Sequence, residues 1–371
     1  MYDLAIIGLG PVGAALAAHA GARDLRVIAL ERETAPYALP RAAHLDGTAL
    51  RILASVGVRP EGRDLDGFDL VDRGGRLLFR GRPREAPPEG FPAGRLIHQP
   101  SVERALRAQL ETSPSVEVRL GAEVDGVEQD TTGVTIRAHE EPVRARLAVG
   151  CDGANSVVRA AMGIGVEGGG FEQRWLVVDV LLREAVPLPS RLLQIADPAR
   201  PTTYVPFASL RRRWEFRLRE DETTDAMTRP ETIRALLSPH VPPEAVEIER
   251  AAVYTFHDLI ATRWRRRRVL LAGDAAHQMP PFLGQGLGAG LRDVDALVPL
   301  LVRVLREDAP VGVLDAYETA RRRHVAGVVR QSVRLGRVTT LPGSLAALRD
   351  GLLRAAHQIA PLRRVLLNVR G

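Results

Sequence analysis

The stretch DLAIIGLGPVGAALAAHAGARDLRVIALE, residues 3–31, decides the fold. Asp3 to Ile7 is an apolar run too short for a helix and reads as a buried strand. Pro11 to Ala22 has helical composition and starts with proline where proline is tolerated, and Leu25 to Leu30 is a second apolar strand. Between strand and helix lie Gly8, Gly10 and Gly13. Gly8 permits a tight turn, Gly10 lets the backbone approach a pyrophosphate, and Gly13 lets helix and strand pack closely, so that phosphates meet the positive helix end at Pro11 and Val12. Glu31, followed by Arg32, stands at the end of the second strand. An acid there accepts hydrogen bonds from a ribose diol and repels a 2'-phosphate, which favours FAD or NAD over NADP. The competing reading is a glycine-rich turn with a surface glutamate; strand, helix, strand and acid together favour the dinucleotide.

Outward from this unit, 371 residues predict two closely packed domains rather than one, and 45% hydrophobic with 26% charged residues is the balance of a folded protein. The net charge of +6 and the arginine runs Arg211–Arg213, Arg265–Arg268 and Arg321–Arg323 raise a nucleic-acid reading. The chain has no lysine, so these runs are expected to be solvated edges or ion-pair partners, and Schiff-base or phosphate-loop lysine chemistry is excluded. One cysteine, Cys151, makes no internal disulfide, and no cysteine–histidine cluster has zinc spacing, so no metal is expected. The sequence opens into an apolar strand without a charged leader and has no apolar stretch of spanning length. The expectation is a cytoplasmic protein without nucleic-acid or membrane partners. The oligomeric state is left open, a homodimer included.

Further along, Thr48–Val56 and Val102–Leu110 carry helical spacing, and Arg82–Pro92 is proline-rich loop. Val116–Arg146 predicts short strands leading into the strand Leu147–Gly150. Three glycines, Gly168–Gly170, precede a β-rich stretch with strands at Trp175–Leu182, Thr203–Phe207 and Trp214–Leu218. Val269–Ala272 predicts a buried strand, followed by helices at Leu291–Leu305, Leu314–Leu335, Ser344–Ala356 and Pro361–Leu367.

Two later motifs carry chemistry. VLLAGDAAH, residues 269–277, puts Gly273 and Asp274 just after a buried strand, followed by Pro280, Pro281 and the glycine-studded turn Gly284, Gly286, Leu287 and Gly288. Its prolines stiffen the turn, its glycines let amides approach a flat ring, and the helix beginning near Leu291 offers a positive end to an anionic reduced flavin. CDGANSVVR, residues 151–159, puts Asp152 after a second strand. With the opening unit, these motifs resemble the class A flavoprotein monooxygenases of the para-hydroxybenzoate hydroxylase fold. The nearest look is to hydroxylases of 3-hydroxyphenylpropionate-like phenols and of polyketide aromatics.

The resemblance implies a fold: an α/β, Rossmann-like FAD-binding domain with an inserted β-sheet substrate domain and C-terminal helices. The segments expected are 1–170 (FAD domain, with a sheet excursion near 65–97 that joins the substrate domain), 171–262 (substrate domain), 263–340 (FAD domain again) and 341–371 (helices). It further implies that Asp274 serves the ribityl chain, Asp152 FAD and the nicotinamide nucleotide, and Arg41 and Gln99 FAD, while Arg213 lies near the flavin ring. Arg213, Glu215 and Pro281 are the candidates for a catalytic part. The implied reaction takes NADH or NADPH and O2 and hydroxylates a phenolic or polyketide-type aromatic through a C4a-hydroperoxyflavin. Epoxidation, Baeyer–Villiger oxidation, reduction, or a flavin-binding module without oxygenation are the alternatives. The chain departs from the family at Gly288, where asparagine is usual, and at Leu283, where a small residue is common.

Bland readings stand beside these. Asp152 and Asp274 could cap the structure after their strands, His277 is expected to be a packed residue rather than a base, and Cys151 a small hydrophobe. The aromatics Trp175, Tyr204, Phe207, Trp214 and Phe216 are expected in the core.

Overall fold

Tyr2–Ile7 is an inner strand of an eight-stranded sheet in the computed structural model, which describes residues 1–36, 41–81, 89–138 and 141–358. Its neighbours are parallel to it, and the parallel series runs Val269–Leu271, Val143–Gly150, Tyr2–Ile7, Val27–Glu31, Val116–Leu120. A parallel sheet is covered on both faces, which is why these strands are continuous apolar runs rather than alternating ones. The helix Pro11–Gly21 is buried almost all round because its alanines let the helices Gln99–Glu111 and Gly286–Arg306 approach. The Arg265–Arg266 strand closes one edge antiparallel, and a hairpin of Val124–Gln129 and Val134–Ala138 pairs with Val143–Gly150.

A seven-stranded sheet stands apart from this layer, in the order Val246–Ala261, Val166–Leu182, Arg211–Arg217, Thr202–Val205, Leu192–Ile195, Phe68–Val71, Leu77–Gly81. All its pairs are antiparallel except Leu192–Ile195 with Phe68–Val71. One face buries Leu176, Val178, Trp214 and Phe216 against Ile233 and Leu237 of the helix Pro230–Leu237. The excursion read at 65–97 divides. Phe68–Val71 and Leu77–Gly81 enter the seven-stranded sheet, whereas Gly94–Ile97 pairs with His44–Asp46 and Gly62–Asp64 in a sheet of its own.

Two local expectations need correction. Gly168–Gly170 do not precede the strand but lie inside it, at a break in register where the Asp258 carboxylate accepts from the Gly169 and Phe171 amides. The helix expected from Leu291 begins at Gly286, so Gly286 and Gly288, read as turn, form its first turn, while Gly284 remains in the turn before it. The arginine runs do supply ion-pair partners, as expected, and two of these are buried: Arg213 and Arg321 each meet a buried aspartate. The named aromatics are in the core as expected. The helix expected at Ser344–Ala356 spans Gly343–Gln358, while Pro361–Leu367, like most of the proline-rich 82–92 loop, lies outside the described residues.

Asp293 is the fully buried charge that ties the helices to the sheet. It accepts from His277 Nε2 at 2.7 Å, from Arg321 Nε at 2.8 Å and from the Gly273 amide at 3.0 Å. Burial works against its ionisation, but His277 and Arg321 outweigh that and hold its carboxyl below the usual range. A depressed folded pKa gives stability that is complete above the unfolded value of about 3.9 and is lost as pH falls through the folded one. Asp293→Asn should therefore cost on the order of 3–5 kcal/mol at neutral pH. Urea denaturation should show the deficit shrinking as pH is lowered through the carboxylate range; a deficit independent of pH would assign the loss to packing instead.

Candidate active site

The cleft begins at the turn after Tyr2–Ile7. Gly8 has φ 91°, and a Cβ there would lie 2.6 Å from the Cys151 carbonyl oxygen; one on Gly13 would lie 2.0 Å from the Gly8 carbonyl oxygen. Gly10 is different: a Cβ there would have no atom within 4 Å, so the space beside this backbone is open. Glu31 sets the rim. It accepts from the Leu9 amide at 2.6 Å and the Glu33 amide at 3.0 Å, which fixes its carboxylate at the strand end where a ribose would meet it. Arg32 points outward and pairs with Glu33.

A residue the sequence did not single out completes this end. Arg107, from the helix Gln99–Glu111, donates Nη2 to the Leu9 carbonyl at 3.3 Å, while its Nε and Nη1 are buried without a hydrogen-bond partner among the described residues. A buried guanidinium with unmet donors costs free energy unless an acceptor arrives, and a phosphate next to an open glycine backbone is such an acceptor. The residues present thus fit a dinucleotide. Helical spacing could have placed Arg107 on this face, but only its contact with Leu9 shows its direction.

The other end of the cleft comes from residues 273–288. Val12 joins the two ends: Cβ atoms on Gly273 and Gly290 would lie 3.1 and 2.5 Å from Val12 Cγ2, so glycine at both positions lets the two segments interlock. The short turn Gly273–Ala275 leaves the Asp274 side chain exposed to the cleft. The protein walls around it nevertheless raise its pKa, against the pull of His277 and Arg41. Asp274 makes no capping contact of its kind, unlike Asp152, whose carboxylate accepts from Ser156 Oγ at 2.6 Å and the Val158 amide at 3.0 Å and so holds the start of the helix Val157–Ala161. Gln99 is likewise engaged: its Oε1 accepts from the Arg41 and Ala42 amides, and its Nε2 donates to Glu103. It shapes the Arg41 segment. Cys151, at the strand end, has its thiol pushed well up by burial and is no ready nucleophile.

Pro281–Leu283 forms a tight turn ending at Gly284, φ 61°. Phe282 fixes it from below, with its ring against Trp175 and Phe171 at 5.6 and 5.9 Å and over Gly336, where a Cβ would come within 2.4 Å. Ser332 Oγ donates to the Pro280 carbonyl, and the His44 ring lies 3.4 Å from the Gly284 carbonyl. Beyond it Gly286, Leu287 and Gly288 open the helix Gly286–Arg306 with no side-chain cap, so their amides are free to meet a ligand. At Gly288 the space that the family's asparagine would take is bordered by Arg292, 3.2 Å from an ideal Cβ, which pairs with Asp46 at 2.8 Å. His277 is a packed partner of Asp293, not a base in the cleft.

The seven-stranded sheet forms the roof. Arg213 pairs bidentately with Asp179 at 2.7 and 3.1 Å and donates Nη1 to the Arg41 carbonyl at 2.9 Å, tying sheet to cleft. Glu215 lies two residues on, on the same face.

Arg107→Ala and Asp274→Ala should each weaken FAD binding by roughly 5–150-fold, the equivalent of about 1–3 kcal/mol for a lost hydrogen bond with its partner stranded. Fluorescence titration of the FAD-free protein measures this; unchanged affinity in both would remove these residues from the cofactor site.

The comparisons with known proteins agree with this geometry. The FAD binding domain family matches residues 1–332. A probable NADH-specific resorcinol 4-hydroxylase of Rhodococcus jostii (strain RHA1) is 38% identical over 367 residues, covering 96% of this chain and 69% of that protein. A 3-(3-hydroxy-phenyl)propionate/3-hydroxycinnamic acid hydroxylase of Mycobacterium sp. (strain JLS) is 38% identical over 379 residues, covering 99% of this chain and 66% of that protein. The chain thus spans about two thirds of the length of the curated relatives it matches. Among solved structures, p-nitrophenol 4-monooxygenase from Pseudomonas putida DLL-E4 superposes with a TM-score of 0.88 at 25% identity, covering 99% of this chain and 96% of that one. The α/β fold expected from the opening glycines is that of these flavoproteins, and the chain belongs to the FAD binding domain family.

Proposed function

We propose that this chain is an FAD-dependent monooxygenase that uses NADH or NADPH and O2 to hydroxylate a phenolic ring. The observation that carries this reading is the meeting of Gly8–Gly13 and Gly273–Gly288 in one cleft, roofed by a sheet bound to it through Arg213 and Trp175. Bound FAD would supply hydride acceptance and oxygen activation; what remains is the work of this chain. The amides at Gly10 and Arg107 would hold the pyrophosphate, Glu31 a ribose, and Asp274 the polyol. The first turn of Gly286–Arg306 would face the flavin ring's polar edge, with Pro281 and Gly284 setting the depth of the pocket beside it. A partial positive charge there stabilises electron density arriving on the ring. The aromatic packing of Phe171, Trp175 and Phe282 would keep water from the reacting face.

The relatives' printed substrates, resorcinol and 3-(3-hydroxyphenyl)propionate, support a small phenol over a polyketide. The resorcinol relative is NADH-specific, which supports NADH over NADPH. Among the described residues there is one dinucleotide unit, so the nicotinamide coenzyme would visit a groove near the flavin rather than a second such fold. No described helix is long and apolar enough to cross a membrane. The supply of reduced nicotinamide favours the cytoplasm, and neither nucleic acid nor membrane has a part in this reading; a homodimer is compatible with it.

Resorcinol or 3-(3-hydroxyphenyl)propionate should stimulate NADH oxidation by the FAD-loaded protein, with one atom of isotopically heavy dioxygen appearing in the ring product. NADH consumption that yields only peroxide with every phenol, or none at all, would leave a flavin protein without this activity.

A further inference from the structure

The strand Arg211–Arg217 places alternate side chains on the face turned to the cleft. Arg213 reaches the Arg41 carbonyl on one side, and Arg217 donates to the Thr340 carbonyl at 3.3 Å on the other. Glu215 lies between them and so points into the space that those two contacts bridge. Its cross-strand neighbours are Val177 and Thr203, and Trp175, opposite Arg217, carries the face on to Phe282 of the Pro281–Leu283 turn. The same turn would flank a bound flavin.

The charges on this face are unequal in their commitments. Asp179 is saturated, accepting from Nε and Nη2 of Arg213 and, at 3.4 Å, from Nη1 of Arg250 on the next strand. Glu215 is not: among the described residues its one ion pair is with Arg213 Nη1 at 3.8 Å, beyond hydrogen-bond reach. Its side chain is only 12% exposed. A largely buried carboxylate without a donor costs free energy, and the cleft is the direction from which a donor can come. Thr203 does not serve, because its hydroxyl donates to Gln194 Oε1. With three arginines and one saturated aspartate on the face, Glu215 is left as the acceptor.

We propose that Glu215 accepts the hydroxyl hydrogen of the phenolic substrate, which makes it the residue that selects a phenol and enriches its ring. This rests on the hydroxylase reading above. In the step, the phenol O–H bond breaks, its electron pair stays on the phenol oxygen, and the proton passes to a Glu215 carboxylate oxygen. The ring carbon ortho or para to that oxygen gains electron density for attack on an electrophilic oxygen. Burial raises the Glu215 carboxyl, with Asp179 acting the same way and Arg213 and Arg250 opposing it. A raised carboxyl is a stronger base, nearer to a phenol's value of about 10.

Resorcinol and 1,3-difluorobenzene, alike in ring and size but not in O–H, are titrated into FAD-loaded protein without nicotinamide, with the flavin spectrum as readout. The wild type should hold resorcinol about tenfold or more tighter; equal binding overturns the proposal without any variant. Glu215→Gln, which retains the shape but takes up no proton, should lower kcat/KM for the phenol by about 100-fold with FAD content unchanged, and Glu215→Asp should recover part of the loss. A Glu215→Gln protein within about twofold of wild type overturns it. Should Glu215→Gln not take up FAD, the wild-type pair and Glu215→Asp decide. If the wild type oxygenates no phenol, the hydroxylase reading fails, and the binding comparison still decides the role of Glu215.

Discussion

Asp293 sits with no exposed surface where the helix Gly286–Arg306 crosses behind the turn that follows Val269–Leu271. Its carboxylate takes a backbone amide from Gly273, a ring nitrogen from His277 and the guanidinium of Arg321, so that turn, helix and the later helix Asp315–Thr339 share one anchor. Arg321 also donates to the Ala289 carbonyl, fixing the first turns of Gly286–Arg306 from the other side. A buried charge is tolerable only when its hydrogen-bond capacity is filled, and filling it fixes geometry. Here what it fixes is the direction of Asp274 into the cleft and of the free amides at Gly286 to Gly288. The interlock of Val12 with Gly273 and Gly290 then carries that alignment across to the opening glycine turn, more than 250 residues away in sequence.

The roof obeys the same rule with a different aspartate. Asp179 compensates Arg213 and Arg250 within the seven-stranded sheet, and the remaining donor of Arg213 reaches the Arg41 backbone. Sheet and cleft are therefore joined by a hydrogen bond to main chain and by aromatic edges at Phe282. The wall between them sets the apolar Trp175, Val177 and Phe282 beside the charges of Asp179, Arg213 and Glu215, a mix that can admit an aromatic ring and fix its polar group. Without lysine, arginine's planar fork provides every fixed cation in these networks, and bidentate pairing at Asp179 depends on that geometry.

How much of this the sequence discloses depends on the range of the interaction. The strand–helix–strand unit at its start is local, and both Gly8 and Gly13 are glycine for reasons that spacing alone reveals. Gly273-Asp274 is legible for the same reason, standing just after an apolar strand. The start of the helix at Gly286 was not legible, since prolines and glycines favour turn by propensity, and only the packing of Gly290 against Val12 makes helix the better choice there. Nor were Gly168–Gly170, because a strand keeps them only where Asp258 on the paired strand accepts the Gly169 and Phe171 amides at the break in register. For Arg213 and Arg321 the sequence allows either a solvated edge or an ion pair, and it sets no direction for Arg107; their placement follows from partners 34, 28 and 98 positions away. Asp152 and Gln99 carry family motifs, yet their side chains are spent on neighbouring backbone, so they shape the cleft through the chain they hold.

The family, the fold and the cleft describe a polypeptide that closes two remote segments around one flat cofactor, and every role assigned to the sheet above it depends on that closure. The visible absorption of the purified chain, before and after incubation with FAD and desalting, examines it most directly. A bound flavin spectrum at about one FAD per chain is the result this account requires. A colourless protein that stays colourless after the incubation would contradict it.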